Sequence, residues 1–311
     1  MLAVLDAGGS GLDAGSVGLA LARRWSDAGG MVLFVDADPA GARLAERYGE
    51  TARAAFSPAT RGLPSLIVAR EPLTLRLLAE HCYSLDNGAG SLWALFAPAR
   101  TAGAGRTALW LAEKAGDLAA VHRERRVVLA SSLAAGPDRL GPLLEAGPPG
   151  RGEAGGRGPG GAPDGGGRGG CGAAARAGAA PVVVGPGGGL VLAGAGSREE
   201  AETVGARCRA AGLTGPSRRR RLLAVAGPSP LDDDEIRAAT GLEVAARLQV
   251  LDDEQVLRGR PGRRERRFFT ALDEIVARVE APPAAGAPSA ARPEAPTVDG
   301  AHALIRGAAA S

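Results

Sequence analysis

Short apolar runs alternate along the chain with stretches in which apolar positions recur every three or four residues. The runs are "MLAVLD" (1–6), "MVLFVD" (31–36), "SLWALFAP" (91–98), "RRVVLA" (125–130), "APVVVG" (180–185), "GLVLAG" (189–194), "RRLLAVAG" (220–227) and "LEVAARLQV" (242–250). Runs this length with no polar alternation predict strands covered on both faces. Between them the period is helical. Val17, Leu19, Leu21, Ala22 and Trp25 predict a helix over 15–28 that stops at Gly29-Gly30. Asp38 as N-cap, Pro39 at the first helical position and Gly49 as the stop predict another over 38–49. A long helical stretch covers 105–124. Ser197 with Glu200 three residues on predicts a capping box for a helix over 197–212. Acidic residues open, and Gly241 closes, a helix over 229–241. A short helix is expected over 252–259, and an amphipathic one over 265–280. The apolar stripe of the latter (Phe268, Leu272, Ile275, Val276 and Val279) predicts a core face. "PSLIVA" (64–69) fits a short strand or a helical turn. There is no internal repeat. Strands alternating with helices predict an α/β fold with a doubly wound, mainly parallel sheet.

One segment breaks the pattern. Residues 146–180 hold almost no apolar side chain larger than alanine and are dense in Gly, Pro and Arg. This is the composition of a flexible linker. It is also the composition that GC-rich DNA gives when read in a shifted frame, so both readings stand. The organisation expected is one α/β domain in two parts, 1–145 and 181–280, split by the 146–180 insert. An Ala/Pro-rich disordered tail follows over 281–311.

Composition narrows the function classes. Hydrophobic residues make up 45% of the 311, but aromatics only 3%, so the core is expected to be Leu, Val and Ala. The formal net charge of +3 does not by itself imply nucleic acid. Cys82, Cys171 and Cys208 share no ligand spacing, and His81, His122 and His302 do not complete a metal set. Asp6 and the glycines after it interrupt the first apolar run, which argues against a signal peptide. No apolar run reaches the roughly 18 residues of a membrane helix. A soluble, cytoplasmic protein is expected.

The candidate chemistry lies in "AGGSGLDAGSVGLALA" (7–22), a glycine-rich turn between a strand and a helix. Glycines let backbone N–H groups point at a phosphate, and the helix N-terminus adds a favourable dipole. Gly8, Gly9, Ser10, Gly11, Gly15 and Ser16 are the candidate nucleotide-binding residues. The second strand ends in Asp36-Ala37-Asp38-Pro39, followed by Gly41. This order of strand, glycine loop, helix and strand ending in Asp-x-Asp-Pro resembles the ParA/MinD family of P-loop ATPases, within the SIMIBI class. Actinobacterial MinD-like proteins are the most similar type, and "LFVDADPAGARLAERYG" (33–49) carries the strongest match. The resemblance spans 1–145 and 180–280, and only the first 50 residues are specific.

The resemblance implies ATP and Mg²⁺ as ligands. It implies a hydroxyl on Mg²⁺ from Ser16, Asp36 near the metal, and Asp38 positioning the attacking water. It also implies homodimers, a protein partner, and non-specific DNA binding through surface arginines, for which Arg218, Arg219, Arg220 and Arg221 are the candidates. The chain departs from the pattern at four places, one of them the base-reading asparagine that often follows a late strand, which is not evident in "LLAVAGPSP" (222–230). Leu12, Asp13 and Ala14 stand where the loop lysine is expected, and Lys114 is the only lysine in the chain. Ala7 stands at the family's second, deviant lysine. Ala130 or Ser131 stands where a Walker B aspartate is expected. The reading is a degenerate ParA/MinD-like positioning or regulatory factor. The alternatives are an active partition or division-site ATPase, and a localisation scaffold like the pilus-positioning TadZ/CpaE proteins.

Overall fold

β1 (Leu2–Asp6) is hydrogen-bonded on both edges, to β5 (Arg126–Ser132) and β6 (Gly189–Gly194), which explains why its sequence carries no polar alternation. The structure is a computed structural model. It describes residues 1–38, 44, 62–85, 90–97, 104–121, 125–133, 188–214, 220–252, 255–256, 262–263 and 265–281. The remaining strands are β2 (Met31–Asp36), β3 (Tyr83–Ser84), β4 (Ser91–Leu95), β7 (Arg221–Ala226) and β8 (Glu243–Leu248). The sheet order is β3-β4-β2-β5-β1-β6-β7-β8, and every pairing is parallel except β3 with β4.

Successive side chains of each strand enter different cores. Leu2, Val4, Val32, Phe34, Leu190 and Leu192 meet α1 (Ala14–Asp27) and α8 (Arg266–Glu280) on one face. On the other face, Ala3, Leu5, Val191 and Ala193 meet α6 (Arg198–Ala210) and α7 (Asp233–Thr240). Leu33, Val35, Val127 and Leu129 meet α2 (Leu63–Ala69), α3 (Leu75–His81), α4 (Ala104–Glu113) and α5 (Ala115–Val121). This is the doubly wound architecture expected. The stripe on α8 is a core face: Phe268, Leu272 and Ile275 are buried, and Val276 and Val279 pack partly buried against them. Trp25 is buried beside α8, and its indole N–H donates to Glu280 at 2.8 Å.

Residues 64–69 take the helical of the two alternatives, with Pro64 in the first turn, where its missing N–H costs nothing. The expected stretch 105–124 is helical as far as Val121, as α4 and α5, and i→i−4 hydrogen bonds run through Lys114 between them (Lys114 N–H to Trp110, Leu118 N–H to Lys114, both 2.9 Å); 122–124 lie outside the described residues. Other local features differ from the sequence reading. Ser197 does cap α6, accepting from the Glu200 N–H at 3.2 Å. The Glu200 carboxylate, however, takes the Gly196 N–H at 2.8 Å instead of that of Ser197, so the box is not reciprocal. β8 is shorter than its apolar run and has a register shift opposite Leu223/Ala224. Of the expected 252–259 helix, only 255–256 is described as helical, and 253–254 and 257–259 lie outside the described residues. The strand at 180–185, the insert 146–180, the tail from 282 and the helix at 39–49 apart from Leu44 also lie outside them.

α7 has the complete cap. Glu235 N–H donates to the Asp232 carboxylate at 2.8 Å, the Glu235 carboxylate accepts from Asp232 N–H at 2.9 Å, and Gly241 closes the helix at φ +76°. Asp232→Ala is expected to lower the unfolding free energy by about 1 kcal/mol, with Asp232→Asn close to neutral, in urea titration.

Candidate functional site

The chain leaves β1 at the carboxyl edge of the sheet, between strands whose connections run to opposite sides. That is where open α/β sheets place ligands. The turn from Ala7 to Asp13 is built from left-handed glycines: Gly8 at φ +92°, Gly9 at +72° and Gly11 at +64°. Side chains of the turn consume part of its own donors. The Asp6 carboxylate accepts from Gly8 N–H at 2.8 Å, and the Ser10 hydroxyl donates to the Leu12 carbonyl at 2.8 Å, with Asp6 a longer alternative acceptor at 3.3 Å. The Ser10 oxygen also accepts from Leu12 N–H at 3.1 Å. At the start of α1, Asp13 is the N-cap: its carboxylate takes both the Ser16 N–H at 2.8 Å and the Ser16 hydroxyl at 3.1 Å. A carboxylate of the chain therefore sits at the helix N-terminus that would favour a phosphate. Leu12, directly after Gly11, is buried in the core. Gly15 lies inside the first turn of α1, against Leu44. The backbone N–H groups of Gly9, Ser10 and Gly11 have no hydrogen-bond partner among the described residues.

Asp36 ends β2, 2% exposed, beside Ala130 of β5. Burial pushes its carboxyl up to about 8, and the negative charges of Asp13 and Asp38 add to this. A hydrogen bond from Asp38 N–H, at 3.3 Å, opposes it. Ser131, buried, gives its hydroxyl to the Ala37 carbonyl at 3.2 Å, which ties the end of β5 to the Asp36–Asp38 segment. The structure thus brings Asp13, Ser16, Asp36 and Asp38 to one edge. Asp13 and Asp36 act here on the chain's own groups. The Ser16 hydroxyl donates to Asp13, and burial favours the protonated form of Asp36. Among the described residues, no three His, Cys, Asp or Glu converge as metal ligands.

The same architecture occurs in solved structures. Apo McdA of Cyanothece aligns with a TM-score of 0.51 at 15% identity, over 88% of this chain and 98% of that one. The MinD cell division protein of Aquifex aeolicus aligns at 0.50 and 12%, over 91% and 98%. A plasmid partition protein of Borrelia burgdorferi aligns at 0.50 and 8%, over 89% and 97%. The chain has the ParA/MinD-like fold. No protein-family model matches the sequence, and no curated protein is a significant relative of it.

In this ParA/MinD-like fold the glycine turn and the Asp36–Asp38 segment stand at the carboxyl edge, and the arginine candidates stand elsewhere. Arg221 is the first residue of β7, at the opposite edge of the sheet. It donates to the Gly212 carbonyl at 2.8 Å, and Arg220 donates to the Arg278 carbonyl at 2.6 Å. Arg218 and Arg219 lie outside the described residues. Among the described residues, no helix is long and apolar enough to cross a membrane.

Three residues of the turn's surroundings escaped the sequence reading. Asp6 closes the turn from below. Arg207 of α6 reaches across and donates to the Ala7 carbonyl. Gly194, the last residue of β6, lets the turn approach so closely that an added Cβ would lie 2.3 Å from the Gly9 carbonyl oxygen. Only Asp6 left a local signal, as a carboxylate two residues before Gly8. Arg207 and Gly194 meet the turn across nearly 200 residues of sequence.

Proposed function

We propose that this chain is a ParA/MinD-like positioning or regulatory factor that acts through a protein partner and does not turn over ATP. The observation that carries the reading is Asp13. Its carboxylate holds the N–H and hydroxyl of Ser16 at the helix start, and buried Leu12 stands where the turn would need a cation. Phosphoryl transfer depends on positive charge placed around the transferring group. The described side chains at this edge are instead Asp6, Asp13, Asp36 and Asp38, with a single guanidinium, Arg207, to one side. Nucleotide binding is weak or absent on this reading. A localisation scaffold of the TadZ/CpaE kind is the closest functional analogy.

The test is turnover. Purified full-length protein, incubated with ATP and Mg²⁺, is expected to release no phosphate above the level of an Asp38→Ala control. Its location in cells is expected to survive the same substitution. Mg²⁺-dependent hydrolysis that falls on Asp38→Ala would overturn the reading in favour of an active partition or division-site ATPase. A homodimer and DNA binding through Arg218–Arg221 are not needed by this reading. Salt-sensitive DNA binding lost on neutralising those arginines would add the second property.

A further inference from the structure

We propose that the groove at the carboxyl ends of β7 and β8 docks a protein segment that carries an apolar side chain flanked by arginine or lysine. The inference rests on the partner-binding reading above and names the surface that holds the partner. The groove has a volume of about 410 Å³, within the roughly 300–1,000 Å³ of pockets that take organic ligands. It is lined by Gly227, Pro228, Arg247, Leu248, Gln249 and Val250. Leu248 and Leu251 are buried, but Val250 between them is 45% exposed, and Pro228 is exposed as well. Val250 is held between two glycine turns. A Cβ added at Gly11 would meet its Cγ1 at 3.4 Å, and one added at Gly227 would meet its Cγ2 at 3.5 Å. Apolar surface fixed in an open groove in this way gains free energy when the apolar side chain of a partner covers it.

The charge around the groove sets the rest of the partner's chemistry. Asp232, Asp233, Asp234 and Glu235 stand at the start of α7, and Asp252 lies two residues after Val250. All five are exposed. Arg237 and Arg247 stand against them, and both are paired already: Arg237 with Asp234 at 2.9 Å, Arg247 with Asp233 at 2.8 Å. Arg247 also donates to the Leu231 carbonyl at 2.7 Å, which ties the start of α7 to the wall of the groove.

The other three carboxylates keep their charge. Asp232 accepts the Glu235 N–H, Glu235 the Asp232 N–H and Asp252 the Gln255 N–H, and none of the three makes an ion pair among the described residues. The rim is therefore negative in a chain whose formal net charge is +3. A rim of this sign repels nucleic acid and acidic peptides and draws in basic ones. An apolar anchor with basic neighbours matches both the floor and the rim.

The test is fluorescence anisotropy of the full chain, without nucleotide, with three short labelled peptides that place one Leu, Met or Phe between arginines. Saturable binding of at least one is expected, weakening as salt is raised, with none for the same peptide carrying glutamates for arginines. Val250→Ser should weaken it about tenfold through lost apolar contact. Asp234→Asn combined with Asp252→Asn should weaken it and flatten its salt dependence, while Glu202→Gln, an exposed carboxylate on α6, should leave it unchanged. The bound peptide should also shift the amide resonances of Gly11 and Gly227, which border Val250. No saturable binding of any of the three, equal binding by wild type and both groove variants, or equal binding of the glutamate peptide would overturn the docking surface. A free protein that is dimeric, and that the peptide dissociates, would give the groove to a second copy and overturn the assignment of its occupant. Each of these outcomes is independent of ATP turnover, which alone decides the reading above.

Discussion

Between pH 4 and pH 8, Asp36→Asn is expected to gain about 5 kcal/mol of unfolding free energy relative to wild type. The cause is the burial of one carboxyl at the end of β2. In the folded chain it titrates at about 8, against 3.8 for an ordinary aspartate. An acid whose folded value is raised binds more protons folded than unfolded between those two values. Wild-type stability therefore falls as pH rises through that window, by up to about 1.4 kcal/mol per pH unit, and levels off above pH 8. Below pH 4 both states are protonated and the contribution vanishes. Asparagine has no proton to lose and keeps an oxygen for the Asp38 N–H. Any constant cost of an imperfectly bonded amide shifts the variant's curve without changing its slope against pH. Urea titrations of both proteins at several pH values check this, and parallel curves would show that Asp36 ionises normally in the fold.

Much of this fold was legible because its strands are central. A strand such as "LAVLD" is buried on both faces, so its sequence shows an unbroken apolar run, and parallel order follows from the helices between runs. The α8 stripe was legible because one face of a helix meets one core. The edge bearing Asp36 and Asp38 was legible because strand ends are local. What was misplaced in the site was partnership. Ser16 reads as a free hydroxyl near a phosphate loop, yet Asp13 stands three residues before it. An aspartate at that spacing is the ordinary way to cap a helix. What could not be read were contacts made by remote segments. Nothing near Arg207 in the sequence points to the Ala7 carbonyl, and nothing near Gly194 points to Gly9.

Gly194→Ala is expected to destabilise the protein by about 3 kcal/mol and to displace the glycine turn. The added Cβ would lie 2.3 Å from the Gly9 carbonyl oxygen and 2.8 Å from its carbon. Both are backbone atoms, so no side-chain rotation relieves the contact. Either the end of β6 or the turn must move, and β6 is held on both edges by β1 and β7. The turn is the softer of the two, since the Gly194 N–H reaches the Gly8 carbonyl only at 3.5 Å. Gly205→Ala is the control. Its Cβ would lie 2.3 Å from the Ala239 carbonyl oxygen where α6 crosses α7, a clash of the same severity away from the turn. Its cost is offset by up to about 1 kcal/mol of helix propensity. Both variants should unfold at lower urea. Only Gly194→Ala should shift the backbone amide resonances of Gly8 to Leu12. Unchanged resonances in that variant would mean that β6 yields instead of the turn. The distinction matters because β6, α6 and Asp13 all belong to the chain itself. A turn placed by them is already set before any ligand arrives, as a protein that displays a fixed surface to a partner requires.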